Sequence, residues 1–200
     1  MEIQYVNVKL YSETQEVPDF KEFIPIFHHW IQKKAFDELL IDVADYSHVP
    51  AGPGIILIGH EANYSVENGP EERFGLLYNT KIVREGTNQD RIHYALQQAA
   101  KAAIRLQQDE FRDGRLKFSG QEVRLTINSR QLAPNEDASL IALRNDLQSV
   151  FGRYYGASNN ALDRVSNDPR ERFAVRAKAF VPVELASLLA ASQASLAGAN

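Results

Sequence analysis

LLIDVADYSHVPAGPGIILIGHEANYSVENGPEERFGLLYN, residues Leu39–Asn79, decides how this chain is read. In Leu39–Tyr46, Ile41 and Val43 alternate with Asp42 and Ala44, the period-two pattern of a strand with one buried face. Pro50-Ala51-Gly52-Pro53-Gly54 then breaks both helix and strand. Ile55–Gly59 is short and continuously apolar, as expected of a strand covered on both faces. Asn63–Val66 reads as its extension after a bend. Asn68-Gly69-Pro70 with Glu71-Glu72-Arg73 is an exposed turn, and Phe74–Tyr78 returns as another strand. The stretch therefore predicts an antiparallel meander.

Upstream, residues 2–11 predict a first strand, carrying Ile3, Tyr5, Val6, Val8 and Leu10. Phe20, Phe23, Ile24, Phe27, Trp30 and Ile31 recur at spacings of three and four, predicting a helix with a heavily apolar stripe. Pro25 falls inside it and fits without cost in the first turn.

Downstream, Thr87-Asn88-Gln89-Asp90 has the form of a capping box and opens a long helix, about 88–110, that Asp113-Gly114 ends. Leu116–Phe118 and Glu122–Ile127 predict a hairpin turning at Ser119-Gly120. A helix runs from Pro134 to Tyr155. Leu162–Val165 and Arg172–Ala179 form a last hairpin. Pro182 opens a C-terminal helix that fades into a disordered tail over about 194–200.

Adjacent hairpins with interspersed helices predict an α+β fold, a mainly antiparallel sheet with about four helices packed on it. The order of the first part also suits a split βαβ unit of ferredoxin-like type. With 200 residues, no repeat and no low-complexity linker, residues 1–200 are expected to form one domain.

Composition narrows the function. The hydrophobic fraction is 44% and the charged fraction 24%, as in ordinary globular proteins. A net charge of -4 supplies no basic excess for nucleic-acid phosphates. The chain has no cysteine, which excludes disulfides, thiolate metal sites and cysteine nucleophiles. No apolar run approaches the ~18–20 residues of a membrane span, and MEIQYVNVKLY is not a signal peptide. A cytoplasmic protein is expected.

Candidate chemistry sits near the first turns. Asp45, His48, His60 and Glu61 flank the central hairpin, and Asp42 lies close by. Imidazole and carboxylate together suit a general base with its orienting acid, or a zinc, manganese or iron ion without sulfur ligands. His28-His29 point about 100° apart on one helix and do not converge. Lys81, Arg84 and Arg91 surround the entry to the long helix and Arg130 precedes the next one, so a small anionic ligand is imaginable there, with Asn79 and Asn88 assisting.

Two functional expectations follow. The first is a binding or assembly protein that associates with itself or with another protein through exposed sheet edges or apolar helix stripes. The second is an enzyme acting on a small polar or anionic substrate at the Asp/His/Glu group, metal-assisted or not.

Overall fold

A computed structural model describes residues 1–14, 18–109 and 116–189. Among these residues eight strands form one antiparallel sheet: β1 (Val6–Ser12), β2 (Leu40–Tyr46), β3 (Gly54–Gly59), β4 (Ala62–Glu67), β5 (Gly75–Thr80), β6 (Phe118–Ile127), β7 (Asn160–Arg164) and β8 (Ala174–Ala179). Their spatial order is β2-β3-β4-β5-β1-β6-β8-β7. A 3-10 turn (Phe20–Glu22) leads into α1 (Phe23–Gln32), followed along the chain by α2 (Asn88–Gln107) and α3 (Asp137–Tyr155). The fold is α+β. The interior order β4-β5-β1-β6, with α1 leading from β1 and α2 joining β5 to β6, is a split βαβ arrangement widened by the β2–β3 hairpin.

Alternation decides which face is buried. Val6, Val8 and Leu10 of β1, Leu57 of β3, Tyr64 of β4, Tyr78 of β5, Leu125 of β6 and Val175 of β8 all join one apolar core. Onto that face α1 brings Phe23, Ile26, Phe27 and Trp30, α2 brings Ile92, Leu96 and Leu106, and α3 brings Leu143, Leu147 and Phe151. The intervening strand positions are mostly polar and face away from the helices. No helix among the described residues is long and apolar enough to cross a membrane.

Local signals held where the chain carries them itself. Thr87 accepts the Asp90 amide while the Asp90 carboxylate takes the Thr87 amide, closing the expected capping box. Pro25 lies in the first turn of α1. The long helix ends at Gln107, capped by Gln108, short of the expected 110; Asp113-Gly114 lies outside the described residues, as does the tail. Residues 187–189 are helical, and the remainder of that C-terminal helix is also outside them.

Two expectations change. Asn63–Val66 belongs to a separate strand: β4 turns back on β3 through His60-Glu61 alone, pairing Ile58 with Asn63 and Ile55 with Val66. Ser119-Gly120 is no hairpin turn, because β6 runs unbroken from Phe118 to Ile127. Gly120 serves close packing instead. A Cβ there would lie 2.6 Å from the Val183 carbonyl oxygen and 2.8 Å from the Glu184 carbonyl carbon.

Candidate functional site

The acid–histidine residues are held apart by β3. Asp45 pairs with Ile55 and Tyr46 with Gly54, so Asp45 stands near the end of β2 and His48 in the turn that closes β2 onto β3. His60 and Glu61 lie past the other end of β3, where the His60 amide meets the Leu39 carbonyl at 2.8 Å. Six strand residues separate the two groups, roughly 17–20 Å at the rise of a β-strand. Asp45 is an exposed strand residue that accepts the Ser47 amide at 2.8 Å and the Ser47 hydroxyl at 2.6 Å. Those two bonds hold its carboxyl below the usual range. His48 stacks on the Tyr46 ring. Among the described residues, no three or more His, Asp or Glu side chains gather where they would hold a metal ion.

Four other nominated residues do meet, at the end of the sheet where α2 begins. Arg84 pairs with Glu61, and its guanidinium lies 3.5 Å over the Tyr94 ring. Lys81 donates its ammonium to the Gly59 carbonyl. Arg91 is buried and donates to the Arg84 carbonyl at 2.8 Å and to Glu2 at 2.8 Å. Asn88 accepts the Ile3 amide at 2.9 Å. These charges join the N-terminal segment, the β3–β4 turn and α2, and protein groups already occupy them. Arg130 is elsewhere, donating to the Arg170 carbonyl at 2.9 Å.

Glu38 was not anticipated, since no spacing in the sequence marks it. Its carboxylate takes the Glu61 and Ala62 amides at 2.9 and 3.1 Å and the Tyr64 hydroxyl at 2.6 Å. Burial, then this bond, drives the Tyr64 hydroxyl far above its ordinary pKa. Glu38 thereby fixes the turn that carries His60 and Glu61.

The sheet face away from the helices carries a second polar assembly. Lys9 is only 3% exposed, with its ammonium 3.2 Å from Glu67 and 2.9 Å from the Asn68 carbonyl. Burial lowers its pKa against the opposing pull of Glu67. The Tyr11 hydroxyl donates to Glu71 at 2.6 Å, and Arg176 and Arg124 approach the other Glu71 oxygen at 2.7 and 3.4 Å. Arg73 reaches Glu122 at 2.5 Å and covers the Tyr11 ring at 3.7 Å. Register produces this grouping: Lys9, Arg124 and Arg176 are successive cross-strand partners on β1, β6 and β8. One row along, Asn63, Asn79, Asn7 and Thr126 stand side by side on β4, β5, β1 and β6. The side-chain oxygens of the three asparagines are buried without hydrogen-bond partners.

Among the described residues the sheet is open at both margins, where β2 and β7 each pair on one side only. Along the β2 margin, Leu39, Ile41, Tyr46 and Val49 are 68%, 53%, 44% and 40% exposed. Two clefts, about 220 Å³ between α3 and β7 and about 380 Å³ beside Phe36 and Arg105, are lined by none of Asp45, His48, His60 or Glu61.

Fold and surface together define an α+β protein with an open antiparallel sheet, helices on one face and a charged, hydrogen-bonded opposite face. Comparison of the chain with protein-family models, curated proteins and solved structures finds no match in any of the three.

Proposed function

We propose that this chain is a binding and assembly protein that acts through the β2 margin of its sheet. The observation that supports this is the coincidence of an unpaired strand edge with a strip of exposed apolar side chains. Among the described residues, β2 presents seven residues whose outer side meets no other strand, and Leu39, Ile41, Tyr46 and Val49 lie along and just beyond it. An edge of this kind is a template for another strand: main-chain bonds supply affinity, and alternate side chains select the partner. β7 is less suited. It is five residues long, and its Arg164 is already bonded to Asp137 and to the Asn135 carbonyl.

Light scattering after size exclusion tests the proposal over about 1–100 µM, the range of weak interfaces. The expected result is a mass that rises with concentration, and a return to monomer for Ile41→Lys, which places a charge on the margin. A wild-type chain that stays monomeric throughout, and gains mass with no protein in a lysate, would overturn it.

A further inference from the structure

We propose that Tyr11, Arg124 and Arg176 form a phosphate-binding site on the polar face of the sheet, filled in the free protein by the Glu71 carboxylate. The site is separate from the β2 margin and does not depend on the assembly reading.

Register creates the need for an anion. Lys9, Arg124 and Arg176 stand opposite one another across β1, β6 and β8. Like charges directly opposed destabilise a sheet, and two such pairs lie side by side here. The strands supply part of the compensation: Glu67 lies 3.2 Å from Lys9, and Glu122 lies 3.3 Å from Arg176. Among the described residues Arg124 has one ion-pair partner, Glu71, and that residue comes from the β4–β5 turn rather than from a strand.

Three groups converge on this carboxylate. The Tyr11 hydroxyl donates to one oxygen at 2.6 Å, while Arg176 and Arg124 approach the other at 2.7 and 3.4 Å. Burial, then the bond to Glu71, raises the Tyr11 hydroxyl above its ordinary pKa, so it stays a donor. Two guanidinium groups and a hydroxyl around one oxyanion suit phosphate, which brings more acceptor oxygens and a second charge. Glu71 is a tethered stand-in for such a group.

The turn is placed to yield. Lys9 anchors its start by donating to the Asn68 carbonyl at 2.9 Å, and Arg73 anchors its end on Glu122 at 2.5 Å. Only the tip between these anchors moves when Glu71 is displaced. Glu72 in that tip holds a φ of 53°, a strained conformation for a residue with a side chain. Arg176 is 37% exposed, so a dissolved anion reaches the site directly.

Titration of the isotope-labelled chain with inorganic phosphate tests the site by NMR at about pH 7.5, where phosphate is mostly dianionic. Amide shifts are expected in residues 68–73 and around Tyr11, Arg124 and Arg176, with a Kd on the order of millimolar. Glu71→Gln removes the internal competitor and is expected to tighten binding about tenfold. Arg124→Met with Arg176→Met is expected to abolish it. Titration with glycerol 3-phosphate separates the two sources of the group: tighter binding than inorganic phosphate assigns the site to a phosphate ester, weaker binding to the free ion. The proposal is overturned if the wild type shows no shifts in residues 68–73 up to about 20 mM phosphate, or if sodium chloride of equal ionic strength reproduces them. It is also overturned if a folded Glu71→Gln, checked by circular dichroism, binds no tighter than the wild type. Should Glu71→Gln fail to fold, the double arginine variant decides: shifts that persist in it overturn the site.

Discussion

Lys9 and Glu67 form an ion pair in which both partners lie under cover on the polar face of the sheet. Removing one partner strands a buried charge. Lys9→Met is therefore expected to cost about 3–5 kcal/mol in chemical denaturation, while Lys9→Met with Glu67→Leu recovers most of the loss, since a buried pair is worth little against apolar residues of similar size. Gly75 belongs to the same arrangement: a Cβ there would stand 2.3 Å from the Leu10 carbonyl oxygen and 3.1 Å from the Lys9 side chain. Glu38 is a different case, one carboxylate serving three donors. Glu38→Ala should lower stability by about 2–3 kcal/mol in the same measurement, and should loosen the β3–β4 turn.

At the scale of elements, His93 joins α2 to α3. Its Nδ1 lies 2.8 Å from the Tyr154 hydroxyl, and Arg153 donates to its Nε2 at 3.1 Å. That contact leaves Nε2 as acceptor, so the ring is neutral. Burial first, then the Arg153 charge, lowers the His93 pKa, with Asp90 opposing. The unfolded chain thus takes up a proton at a pH where the folded chain still refuses it. Stability is unaffected above about 6.5 and falls as pH drops below that value through the folded pKa. His93→Gln is expected to remove this part of the decline in melting temperature as pH falls below about 6.5. On β2, the Asp42 carboxylate holds the Val43 amide at 2.8 Å and would compete with the proposed edge pairing. Asp42→Ala should strengthen self-association several-fold by light scattering; an unchanged or weaker association would show that the Asp42 bond does not restrain the edge.

For the whole molecule, one charged network spans the polar face from the β4–β5 turn to β8. Burial alone would raise the Glu71 carboxyl, but the Tyr11 hydroxyl with Arg124 and Arg176 holds it below its ordinary value. The Asp90 carboxyl is also held low, by its bonds to Thr87. Groups of this kind contribute stability that is full above the unfolded carboxylate pKa and lost as pH falls through the folded one. Acid unfolding followed by circular dichroism should therefore steepen below about pH 4.5, and Glu71→Gln should flatten that limb. The three asparagines are the counterpart on the same face. Their partnerless oxygens predict that Asn79→Val is neutral or stabilising, because an apolar replacement removes an unmet acceptor.

Periodicity and capping were enough to locate most elements of this chain. Alternation in Glu122–Ile127 identified the C-terminal part of β6, and Thr87 to Asp90 identified the start of α2, because these signals act between near neighbours in sequence. In sequence the β3–β4 turn looks like a bend, because His60-Glu61 contains neither Gly nor Asn. Gly120 imitated a hairpin because a glycine required by the Val183 backbone looks the same as one required by a turn. Sites demand more than elements do. Residues from Asp45 to Glu61 are close in sequence, yet pairing sets them at opposite ends of β3. Lys9, Arg124 and Arg176 are far apart in sequence, yet adjacent across three strands. Sequence by itself determined the α+β elements and their faces; tertiary structure alone decided which charges meet, because strand order and register are set by the packing of the whole sheet.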